Sequence, residues 1–122
     1  MSLSESMEMY LETIYLLEKD HGHAHVGEIA KELGITKPSV TKATNNLKDE
    51  GYIIKEHYGN INLTEKGLKA SKKVYMKHSY ITKFLEESLG LSPEDADENA
   101  CRMEHVITED MLDAIEDYIN SK

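Results

Sequence analysis

The chain is short of three things: cysteine, long apolar runs and positive charge. One cysteine, Cys101, occurs in 122 residues. No internal disulfide can form, so its thiol is a reduced surface group, a small buried apolar residue, a metal ligand or a nucleophile. Apolar stretches reach only a few residues, too short for a helix that spans a bilayer. The acidic start MSLSESMEMY lacks a basic and apolar leader, and a cytoplasmic protein with no membrane partner is expected. Lys and Arg number 14 against 23 Asp and Glu, a net charge of −9, which taken alone argues against a nucleic-acid partner.

The distribution of charge reverses that argument. Residues 1–36 carry two Lys and seven acids, and residues 78–122 carry three bases and twelve acids. Between them, residues 37–77 carry nine Lys and four acids, a net charge of +5. A basic band between acidic ends suits a surface that touches phosphate while the rest of the molecule does something else. The length allows one core and a small annex, with no room for a large α/β enzyme.

Periodicity predicts a mainly α chain. Met7, Tyr10, Leu11, Ile14, Tyr15 and Leu17 recur at helical spacing, giving a helix from about Ser6 to Lys19 with Ser4 or Ser6 as cap. The stretch HGHAHVG reads as a polar loop, and its His21, His23 and His25 as solvated for want of a rigid scaffold. Val26 opens a short helix with Ile29, Ala30 and Leu33, stopped at Gly34. Thr36 then caps a helix running to Asp49, with Pro38 in its first turn. Two short helices about a Gly turn form a helix-turn-helix candidate. Strands at Tyr52 to Glu56 and Ile61 to Leu63, around Tyr58-Gly59-Asn60, form a small hairpin wing, and Thr64 caps the next helix. Further helices are expected from Lys66 to about Leu89, Pro93 to Val106 and Thr108 to Ile119. The division expected is a winged helix-turn-helix over residues 1–72 and a helical domain over residues 73–122.

On the helix after Thr36, the residues not needed for a core are Lys37, Ser39, Thr41, Lys42, Asn45 and Lys48. Lysines, short hydroxyls and an amide reach phosphates and base edges when a helix lies in the major groove. With Thr36 and Pro38 at the helix start, they are the DNA-binding candidates. A solvated polar face is the plain alternative, and the surrounding helix, turn, hairpin and basic charge favour double-stranded DNA.

A second constellation surrounds the thiol. At about 100° per residue, Asp97, Cys101, Glu104 and His105 share one face, opposite Ala96, Ala100, Met103, Val106 and Ile107. Thiol, carboxylate and imidazole at i, i+3 and i+4 can converge on one ion, although the same pattern describes an ordinary wet helix face. Met9 and Glu12, three apart on the first helix, add a thioether and a carboxylate, and His78 adds another imidazole. A thioether suits softer divalent ions better than Mg²⁺ or Ca²⁺.

MEMYLETIYLLE, IAKELGITKPSVTKATNNLKDEGYI, LTEKGLKASKKVYMKHSYITKFL and ENACRMEHVITEDM together resemble the metal-dependent repressors of the diphtheria toxin repressor and manganese transport regulator family. The resemblance covers nearly the whole chain. It implies an N-terminal winged helix followed by a helical metal-binding and dimerisation domain, in a short form without the C-terminal SH3-like barrel of longer members. Met9, Cys101, Glu104 and His105 match the iron-type ligands, and His78 a histidine of the second metal site, whose remaining acid and histidine fall on Thr82 and Asp97. Glu12 matches a glutamate of the manganese-type branch. Two sulfur donors favour Fe²⁺, with Mn²⁺ next, while Zn²⁺, Co²⁺ or Ni²⁺ can substitute in vitro.

The function expected is a metal-activated repressor acting as a homodimer on operator DNA, with no small organic substrate. Met111, Leu112, Ile115 and Ile119 offer either a surface for the two-fold partner or an internal core. A winged-helix regulator that senses thiol oxidation is the alternative, weakened because Glu98 and Glu104 would raise the thiol pKa. An enzyme with Cys101 as nucleophile and His105 as base is disfavoured, since no third orienting group accompanies them.

Overall fold

The computed structural model describes residues 4–56 and 58–121. It divides into two compact units, Met1–Lys72 and Lys73–Lys122.

The first unit opens with α1 (Glu5–His21), capped by the Ser4 hydroxyl, which accepts from the Met7 N–H at 3.2 Å. It ends at Gly22, whose φ of 92° is a left-handed conformation that only glycine adopts cheaply. α2 (Val26–Leu33) stops at Gly34, and α3 (Lys37–Asp49) starts at Thr36 with Pro38 in its first turn. The turn between them is three residues long, as the helix-turn-helix reading requires.

β1 (Ile53–Lys55) pairs antiparallel with β2 (Ile61–Leu63) in the register Ile53↔Leu63, Ile54↔Asn62 and Lys55↔Ile61. The first strand is shorter by one residue at each end than its sequence pattern predicts. Ala24 adds an isolated bridge to Ile61, so HGHAHVG is attached to the hairpin instead of being a solvated loop. α4 (Glu65–Leu89) follows, and the division between the units falls within it, after Lys72.

Burial in this unit follows the helical repeat. Tyr10, Leu11 and Ile14 from α1 meet Ile29 and Ala30 from α2, Val40 and Leu47 from α3, and Ile53 and Ile61 from the hairpin. Each fully buried Leu or Ile contributes roughly 1.5–3 kcal/mol. Gly67 lies against the hairpin base so closely that a Cβ there would overlap the Tyr52 carbonyl oxygen.

In the second unit, α5 (Pro93–Met103) is capped by the Ser92 hydroxyl on the Asp95 N–H at 3.2 Å, and α6 (Glu109–Asn120) by Thr108 on Met111 at 3.1 Å. Ile81, Leu85, Ala96, Ala100 and Ile115 form its core, bordered by Tyr80, Phe84, Leu91, Met103 and Ile107. α5 ends three residues earlier than expected. Val106, Ile107 and Thr108 are all β-branched and disfavour helix, and Thr108 must be extended to cap α6. Val106 is consequently exposed instead of joining the apolar face. On α6, Leu112 and Ile115 are buried while Met111 is exposed. No helix among the described residues is long and apolar enough to cross a membrane.

Candidate metal centre and nucleic-acid interface

Glu104 is the centre of the second unit's polar chemistry. It caps the C-terminus of α5, its N–H donating to the Ala100 carbonyl at 2.9 Å, and its side chain is completely buried. A buried carboxylate needs a countercharge and partners for both oxygens. Its Oε2 is hydrogen-bonded to His78 Nδ1 at 2.9 Å, while its Oε1 lies 3.0 Å from His105 Nε2 in an arrangement that makes no hydrogen bond. The second nitrogen of His78 lies 2.8 Å from Asp97 Oδ1. Helix spacing positions the set, with His78 on α4, Asp97 four residues before Cys101 on α5, and Glu104 and His105 in the turn that leaves it.

The hydrogen bond to Glu104 is the main cause that raises the His78 pKa to about 9, with further help from Asp97 and opposition from desolvation. His78 is therefore held as an imidazolium at neutral pH, a monovalent stand-in for the countercharge that a divalent ion would supply.

A wet helix face does not describe Glu104, which is inside. Cys101 is exposed, one turn before Glu104. Carboxylate, two imidazoles and a thiol within one unit are a donor set that fits Fe²⁺, Mn²⁺ or Zn²⁺. Asp97, which its spacing places on the Cys101 face, was left out of the candidate ligands, and its contact with His78 on α4 is the part that spacing on one helix could not show. Thr82, by contrast, turns its hydroxyl onto the His78 carbonyl at 2.8 Å and is spent on its own helix. In the first unit, Met9 is 40% exposed and Glu12 half-buried on α1.

The nucleic-acid candidates lie on α3. Val40, Thr44 and Leu47 are buried at i, i+4 and i+7, and the Thr44 hydroxyl is satisfied by the Val40 carbonyl at 2.8 Å. That burial leaves Thr36, Lys37, Pro38, Ser39, Thr41, Lys42, Asn45 and Lys48 exposed. The Thr36 hydroxyl accepts from the Ser39 N–H at 3.3 Å, fixing the start of the helix. Two further cations come from outside it. Lys55 Nζ on β1 donates to Asn45 Oδ1 at 2.9 Å, and burial, then Lys48, lower its pKa. Lys66 Nζ sits 4.3 Å from the centre of the Tyr52 ring and donates to the Glu50 carbonyl. The first contact joins the hairpin to α3 and the second joins α4 to the end of α3, which a residue list confined to one helix could not contain.

Residues 2–61 match the model of the iron dependent repressor N-terminal DNA binding domain, and residues 64–121 that of the iron dependent repressor metal binding and dimerisation domain. An uncharacterised HTH-type transcriptional regulator of Methanocaldococcus jannaschii is 40% identical over 114 residues, 93% of this chain and 91% of that protein. The HTH-type transcriptional regulator MntR of Bacillus subtilis is 34% identical over 114 residues, 93% of this chain and 80% of MntR. Among solved structures, IdeR of T. acidophilum superposes with a TM-score of 0.82 at 27% identity, over 98% of this chain. The manganese-activated repressor ScaR gives 0.78 at 29% identity, over 93% of this chain. This chain spans about half of those two structures, 55% and 54%. The named relatives are transcriptional regulators and not enzymes. With both halves matched in order, the chain belongs to the iron dependent repressor family of metal-dependent transcriptional regulators.

Proposed function

We propose that this protein is a metal-activated repressor of metal-homeostasis genes, working in the cytoplasm as a homodimer on operator DNA. The observation that carries the proposal is Glu104, a fully buried carboxylate with one oxygen hydrogen-bonded to His78 and the other 3.0 Å from His105 without a hydrogen bond. Such a group stays ionised inside a protein only against positive charge, and a divalent ion supplies more of it than a proton does.

The proposed donors are Cys101, Glu104 and His105, joined by Met9 and Glu12 of α1 and by His78 at a second position. Thiolate and thioether favour Fe²⁺ over Mn²⁺. The donors come from before and after the reading helix in sequence, so an ion drawing on all of them acts as a clamp. In the dimer it fixes two copies of α3 at the spacing of successive major grooves, roughly 34 Å. Thr36, Lys37, Ser39, Thr41, Lys42, Asn45 and Lys48 then meet phosphates and base edges, with Pro38 shaping the helix start.

Metal content per chain after anaerobic equilibration of apo-protein with equal Fe²⁺, Mn²⁺ and Zn²⁺ tests this reading. Stoichiometric uptake that falls, or shifts toward Mn²⁺, in Cys101→Ala supports it. Uptake by neither protein sinks the reading.

A further inference from the structure

The three histidines of HGHAHVG belong to the first unit and are not among the donors described above, and the structure gives them the scaffold their sequence lacks. His21 is the last residue of α1, His25 the N-cap of α2, and His23 lies between them. The backbone that carries them is tied down. Ala24 donates to the Ile61 carbonyl at 2.9 Å and accepts from the Ile61 N–H at 2.8 Å. The Asn62 amide donates to the Gly22 carbonyl at 2.8 Å, and Glu28 accepts from the His25 N–H at 3.1 Å.

The Ala24 side chain is wholly buried. In an extended segment its two neighbours face the other way, which puts His23 and His25 on one side. The His21 and His23 ring centres are 5.1 Å apart and those of His23 and His25 4.7 Å, edge to face in both cases. Glu28 Oε2 lies 2.7 Å from His21 Nε2, and both side chains are about one-third exposed.

We propose that His21, His23 and His25, with Glu28, form a second divalent-metal site of the imidazole-preferring class, represented by Zn²⁺. Metal–nitrogen bonds of ~2.1 Å put two imidazole ring centres ~5 Å apart on one tetrahedral ion, close to the centre spacing of both neighbouring pairs, and side-chain rotation turns the donor nitrogens onto the ion as it binds. Imidazole is a ligand common to Zn²⁺, Ni²⁺ and Cu²⁺, and a carboxylate on a ligating histidine either completes the coordination or fixes the tautomer. Bound metal would pin the end of α1 to the start of α2 beside the hairpin, adding a constraint at the base of the wing.

The test is calorimetric titration of the full chain with Zn²⁺ at pH 7.5, together with the imidazole ring signals in NMR. Wild type should bind one equivalent more than His23→Gln, and His105→Gln should keep the equivalent that His23→Gln loses. His25→Gln retains the backbone N–H that Glu28 accepts and gives a second variant should His23→Gln fold poorly. The ring signals of His21, His23 and His25 should shift on addition of Zn²⁺. Equal stoichiometry in wild type and both loop variants, or ring signals that do not move, overturns the proposal.

Discussion

Glu104 puts a carboxylate wholly inside the second unit, against the His78 imidazole. Its spacing from Cys101 and His105 was legible as i, i+3 and i+4 on a helix. Its complete burial was not, because burial depends on α4 delivering His78 from 26 residues away. Glu104→Gln keeps the shape and removes the charge, and metal affinity should fall at least about 100-fold in a competition titration. The His78 imidazole carries a sign that can be worked out. Its folded pKa is raised above 6.5 to about 9, so its contribution to apo-protein stability is full below about pH 6.5 and is lost as pH rises toward 9. Apo-protein melting temperature should therefore decline across that window, and His78→Gln should flatten the decline. If His78 ligates metal as proposed, the ion must displace the same proton, and metal affinity should rise over the same range. At Gly67 a methyl group would meet the Tyr52 carbonyl, and Gly67→Ala should cost about 1–3 kcal/mol in denaturant unfolding.

The elements whose ends are written as caps were readable almost to the residue. Ser4, Thr36, Ser92 and Thr108 each accept from the N–H three residues on, and Gly22, Gly34 and Gly90 close helices with left-handed φ. Elements that end for other reasons were not. α5 stops at Met103 because three β-branched residues follow, the last of them the cap of α6, and the segment carrying His21, His23 and His25 is ordered by a bridge from Ala24 to Ile61, 37 residues later, which no local pattern encodes. On α3 the split is clean, with the apolar row inside and the polar row outside. Lys42→Ala should weaken DNA binding across all sequences and lower the slope of log K against log salt by about 0.9. Asn45→Ala should instead cost about 1–3 kcal/mol and relax preference at one base pair. Because Lys55 donates to Asn45, the double variant with Lys55→Ala should lose less than the sum of the two single changes.

For the whole molecule, a net charge of −9 with its positive excess confined to residues 37–77 sets the segment that carries α3 and the hairpin apart from its acidic flanks as the one suited to phosphate. In the clamp proposed above, a divalent ion would reduce the acidic excess as it binds, and that reduction would have a geometric consequence. Linkage makes the claim testable without knowing the regulated genes. If metal favours the DNA-competent dimer, DNA must tighten metal by the same factor. The deciding measurement is the Fe²⁺ dissociation constant under anaerobic conditions, with and without a DNA duplex selected from a random pool in the presence of Fe²⁺. The clamp predicts that the duplex tightens Fe²⁺ by the factor by which Fe²⁺ tightens the duplex, on the order of 5–150-fold. Equal Fe²⁺ affinity with and without the duplex would contradict it.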